Sequence, residues 1–142
     1  MTNKIPTLPF ITLTIIEPLM SLNGVRIALT NPNLLIHTYL TRGAVSYVPE
    51  TQTLYTQLAG FWLLFAYLEF FVLRPRRDDL WLWKRVCFGF LVSDVVYFWA
   101  AAQGVGGWGT WVDVSEWTGD EWTVSLGALW PGVMRGVVVF GL

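Results

Sequence analysis

Four apolar stretches, each long enough to cross a lipid bilayer, fill most of a chain of only 142 residues. A hydrocarbon core about 30 Å thick takes roughly 20 apolar residues of helix. Residues 52–73 (QTLYTQLAGFWLLFAYLEFFVL) and 81–103 (WLWKRVCFGFLVSDVVYFWAAAQ) meet that length with few charges. Residues 122–142 meet it too, interrupted by Pro131 and Arg135. Residues 8–29 are the least apolar, because Glu17, Asn23 and Arg26 lie inside them. A lone helix of that content inserts poorly, so its polar groups are expected to face a bundle interior. The expected fold is all-α, a four-transmembrane-helix bundle forming a single membrane domain over residues 1–142.

A soluble helical domain is the alternative, and it needs clear polar faces. Residues 52–73 offer only Gln57 and Glu69 past their Thr-rich start. Charged residues make up 13% of the chain, against about 25% in a soluble domain. A net charge of −1 gives a nucleic-acid partner no electrostatic support. The single cysteine, Cys87, excludes an intrachain disulfide and a cysteine-based metal site. The single histidine, His37, falls in the first expected loop without neighbouring ligands. No phosphate-binding or dinucleotide fingerprint occurs, so neither a metal nor a cofactor is expected. Lys4 followed by apolar residues resembles a signal peptide, but Pro6, Pro9, Glu17 and Pro18 break that pattern.

The connections set an orientation. Residues 30–51 carry Asn31-Pro32, Gly43 and Pro49, which mark a loop. The hairpin at 74–80 holds Arg74, Arg76 and Arg77, with Lys84 and Arg85 just beyond. Residues 104–121 have no Lys or Arg and carry Asp113, Glu116, Asp120 and Glu121. The positive-inside rule then places the basic hairpin and both termini in the cytosol; the endoplasmic reticulum is the expected membrane. Trp81 and Trp83 sit at one expected interface, and Trp108, Trp111, Trp117 and Trp122 near the other, where indoles anchor.

Ionisable groups inside hydrocarbon cost about 2.5–3.5 kcal/mol or more each, so they normally pair across helices. Four need partners: Glu17, Glu69, Asp94 and Arg135. A rise of about 1.5 Å per residue places Glu69 about 6 Å from the cytosolic face, Arg135 about 10 Å, Glu17 about 14 Å and Asp94 about 20 Å. A Glu17–Arg135–Glu69 cluster is therefore expected, whereas Asp94 has no cation at its depth except Arg26. Two readings stand. The arginine and its carboxylates fix helix order and register. Alternatively, Glu17 and Asp94 act as acid and base on an apolar substrate, with Glu69 and Arg135 as the binding and positioning pair.

The ordered set Ile16-Glu17-Pro18, Gly24, Ala28, Asn31-Pro32, Gln57-Leu58, Leu63-Leu64-Phe65, Glu69, Val72-Leu73-Arg74, Asp79, Trp83-Lys84, Asp94 and Met134-Arg135 spans nearly the whole chain. It resembles a family of small fungal integral membrane proteins catalogued as domain of unknown function 7704. The resemblance implies a histidine three residues after the third-helix aspartate, where this chain has Tyr97. Tyr97 is therefore a further catalytic candidate, placed to donate to Asp94 or to a substrate. By analogy the resemblance implies a cofactor-free cyclase or isomerase, or an accessory factor, acting on a lipophilic intermediate of fungal secondary metabolism. The expected partners are membrane lipids, a lipophilic small molecule and other biosynthetic enzymes. A non-enzymatic scaffold or substrate-transfer protein is the alternative function.

Overall fold

The computed structural model describes residues 4–43 and 45–142, and the regular structure among them is helical. Four helices are long and apolar enough to cross a membrane: α1 (Thr7–Thr30), α3 (Pro49–Arg76), α4 (Leu80–Gly104) and α6 (Gly119–Phe140). Two short helices, α2 (Pro32–Tyr39) and α5 (Trp108–Trp111), lie in the connections. The fold is a four-helix membrane-type bundle.

Short polar signals set several boundaries. Asn31 Oδ1 accepts from the Leu34 amide at 3.2 Å, and Pro32 follows at the first helical position. Asn31-Pro32 therefore starts a helix where a loop was expected, and it carries His37 with it. Asp79 caps α4 through the Leu82 amide at 3.0 Å. Thr118 and Glu121 form a reciprocal capping box, so α6 begins at Gly119, three residues before the expected span. Its helix ends at Phe140.

Two π-helical turns interrupt the long helices, and each precedes a proline. Residues Thr12–Ile16 of α1 form a π-helical turn just before Glu17-Pro18. Residues Leu68–Leu73 of α3 form another just before Arg74-Pro75. A proline donates no amide hydrogen and its ring crowds the carbonyl four residues back. Widening the preceding turn to an i→i+5 pattern relieves that crowding.

Packing joins α1 to α3 and α4 to α6. Gly24 lets α1 approach Trp62 closely: a Cβ there would lie 2.9 Å from the indole. Ala28 and Ala59 are buried nearby. Ile5, Leu73, Trp83 and Val138 pack in one cluster, so both ends of the described chain lie beside the basic hairpin. The Ile5 amide donates to the Arg77 carbonyl at 3.1 Å, and Arg77 Nε donates to the Ile5 carbonyl at 2.9 Å. At the opposite end Arg42 Nε meets Glu121 Oε1 at 2.8 Å, tying the first connection to the start of α6.

The polarity of the bundle is inverted relative to a soluble core. Glu17, Ser21, Glu69, Asp94, Ser125 and Arg135 are buried, whereas Leu19, Phe71, Val95 and Phe140 are more than 60% exposed. Outward leucines and phenylalanines suit hydrocarbon, and inward polar groups then find one another.

Candidate functional site

One buried cluster draws on all four long helices. Arg135, one turn past the buried Pro131 of α6, is 1% exposed. Its Nη1 donates to both oxygens of Asp94 on α4, at 2.7 and 2.6 Å. Its Nη2 donates to Glu17 Oε1 on α1, and at 3.3 Å to Glu69 Oε1 on α3. The carboxyls of Glu17 and Glu69 also lie within hydrogen-bonding reach of each other. The guanidinium carbon sits 4.9 Å from the Phe90 ring centroid, and Phe90 stacks on Phe65 at 4.3 Å. An aromatic face against the cation excludes other donors and acceptors from that side.

The backbone around these groups is irregular for local reasons. Glu17 immediately follows the π turn of α1, and Glu69 lies within that of α3. π turns shift the helical phase of everything beyond them. Thr14 Oγ1 bonds back to the Phe10 carbonyl at 2.7 Å and Thr12 Oγ1 accepts from Trp130 Nε1 at 3.3 Å, anchoring that turn.

The cluster is incompletely satisfied. Among the described residues, four buried side-chain polar atoms have no hydrogen-bond partner, and three of them are here: Glu17 Oε2, Glu69 Oε2 and Arg135 Nε. Unpaired polar atoms at such burial are costly and call for a physical explanation. Three carboxylates against one guanidinium would also leave two negative charges uncompensated in hydrocarbon.

The expected Glu17–Arg135–Glu69 grouping is present, but Asp94 corrects the depth reckoning. The depths leave it without a cation except Arg26, whereas in the structure both its oxygens accept from Arg135 Nη1. Counting equal rises from one membrane face neglects helix tilt and the length of an extended arginine. Arg26, the alternative partner, bonds Asn23 Oδ1 at 3.0 Å on its own helix.

Tyr97 is placed differently from expectation. Its hydroxyl lies 3.1 Å from the Tyr39 hydroxyl and donates to the Val124 carbonyl at 3.3 Å; among the described hydrogen bonds none joins it to Asp94. Three residues along a helix turn the side chain by about 300°, and one turn higher Tyr97 meets the short helix α2. Tyr39 is absent from the sequence-derived candidates because it falls in the expected loop at residues 30–51, whereas the structure places it at the end of α2. The Asn31-Pro32 start signal would have placed it on a helix.

Beside the cluster, α1 and α3 line an outward-facing apolar groove of about 630 Å³ whose walls include Pro18 and Phe70, the residues after Glu17 and Glu69.

Residues 2–142 match a family model described as Domain of unknown function (DUF7704). No curated protein and no solved structure matches the chain.

Proposed function

The chain belongs to the DUF7704 family, and on the geometry of its buried cluster we propose that it is an intramembrane acid–base protein acting on a lipophilic small molecule. The observation that carries this reading is the incomplete satisfaction of Glu17 and Glu69 beside an apolar groove. One proton shared between the Glu17 and Glu69 carboxyls would remove one uncompensated charge and supply a hydrogen bond that the two groups lack. Asp94, with both oxygens on Nη1, is the counterion of Arg135. In this assignment Glu17 and Glu69 carry the proton, and Asp94 and Arg135 hold them in place. Tyr97 is a packing and hydrogen-bonding residue.

The reaction class is cofactor-free isomerisation or cyclisation. A proton adds at one carbon of a substrate double bond and leaves from another, so protons balance and no electrons are exchanged. The fungal source, the secondary-metabolite pathway and the endoplasmic reticulum belong to the same proposal, as do cytosolic termini, which the basic hairpin supports.

A second reading, a non-enzymatic scaffold, draws on the engagement of both terminal nitrogens of Arg135. Metabolite profiles of a deletion strain carrying wild type, Glu17→Gln or Glu69→Gln separate the two. The acid–base reading expects the product to fall about 10²-fold or more at unchanged protein level. Full product from both variants, with loss only on deletion, establishes the scaffold.

A further inference from the structure

The groove between α1 and α3 faces outward along its length: Leu19, Leu22, Leu63, Tyr67 and Phe71 on its walls are all more than 40% exposed. Above it Gly24 holds α1 against Trp62, and Ala28 and Ala59 are buried. Toward the basic hairpin it reaches the π turns of both helices, through Ile15 on α1 and Phe70 and Phe71 on α3. From Ile15 to Leu22 the groove runs about 10 Å along α1, at about 1.5 Å per residue. On α3 it runs from Phe71, three residues before Arg74, to Leu63, about 12 Å at the same rise, a length that one acyl chain covers.

The end of the groove nearest the hairpin is marked by a cation. Arg74 lies over the Phe70 ring, with its guanidinium carbon 4.6 Å from the centroid. Phe70 is itself a wall of the groove. Among the described residues Arg74 forms no salt bridge, whereas Arg77 is bound to Ile5 and Thr7 and sits over Phe10. An apolar groove of acyl-chain length, with a guanidinium outside the described salt bridges at its hairpin end, complements one kind of molecule.

We infer that the α1–α3 groove is a binding site for an anionic glycerophospholipid of the leaflet at the basic end, its acyl chain along the groove and its phosphate on Arg74. The acyl chain covers the apolar walls, which would otherwise contact lipid with an unfilled recess. The phosphate accepts from the guanidinium, which stacking on Phe70 holds at the headgroup level. The source is the surrounding bilayer, because the groove is open to hydrocarbon. The same groove borders Glu17 and Glu69 in the acid–base reading, but the lipid site stands on the groove walls and Arg74, and lipid retention is read without either carboxyl.

The test is native mass spectrometry of the full chain titrated with equal amounts of phosphatidylserine and phosphatidylcholine of matched acyl chains. Wild type is expected to retain phosphatidylserine about fivefold over phosphatidylcholine, the effect of one cation near a membrane surface. Arg74→Gln is expected to abolish that preference while still binding lipid. Arg85→Gln, which removes a cation from α4 at the same end, is expected to keep it. Leu19→Trp, at a lipid-facing wall, is expected to lose one bound lipid of either kind. The inference is overturned if Arg74→Gln keeps the preference, or if Arg85→Gln lowers it equally, which would mean diffuse attraction. Unchanged stoichiometry in a folded Leu19→Trp overturns it as well; if that variant unfolds, the two arginine variants decide.

Discussion

At the scale of single residues, Arg135 holds the greatest electrostatic consequence. Arg135→Met leaves three carboxyls buried around an apolar side chain. Removing one partner from a buried ionic group typically costs about 3–5 kcal/mol. Reversible unfolding in mixed micelles should report a loss of that order. Tyr97→Phe is predicted to behave differently. It loses a hydroxyl joined to Tyr39 and the Val124 carbonyl. The expected cost is about 1 kcal/mol, and the metabolite profile is expected to match wild type. A product loss without a stability loss would return Tyr97 to the catalytic group. The need for partners was legible from the sequence, because Glu17, Glu69, Asp94 and Arg135 each interrupt an apolar run. The partner of Asp94 was not legible, since residue counting fixes depth along a helix but not tilt or side-chain reach.

At the scale of elements, length and hydropathy disclose the four spans because hydrocarbon leaves few alternatives to a helix of about 20 residues. The connections are less transparent. Asn31-Pro32 has the chemistry of both a turn and a helix start, and only the side-chain acceptor on Leu34 decides between them. The π turns also escape a hydropathy reading, although Pro18 and Pro75 supply their cause. Removing that cause should have a local effect: Pro18→Ala is predicted to let α1 relax toward an unbroken α-helix. One fewer residue per wide turn would rotate Glu17 away from Arg135 by up to about 100°. Cysteine-scanning accessibility along residues 12–22 would follow the shift in phase. The closest interhelical approach offers a second check. Gly24→Leu would drive its side chain into the Trp62 indole. Overpacking of this kind costs about 1–3 kcal/mol, and a splayed α1–α3 pair should alter tryptophan emission.

At the scale of the whole molecule, the four long helices converge on one guanidinium, and the short connections close the opposite ends. Ile5, Leu73, Trp83 and Val138 gather at the basic hairpin, while Arg42, Thr41 and Glu121 link the first connection to α6. The central cluster couples helix placement to chemistry: the Asp94–Arg135 pair that joins α4 to α6 also holds the two glutamates proposed to exchange a proton. Such coupling is measurable apart from any substrate. The decisive measurement is a double-mutant cycle on unfolding free energy in mixed micelles, with Arg135→Met, Asp94→Asn and the combination. If the pair acts as one unit, each single variant is destabilised and the double variant costs less than the sum by about 1–3 kcal/mol. Additivity within about 0.5 kcal/mol, the behaviour of independent sites, would contradict the cluster on which both the fold's specificity and the proposed chemistry rest.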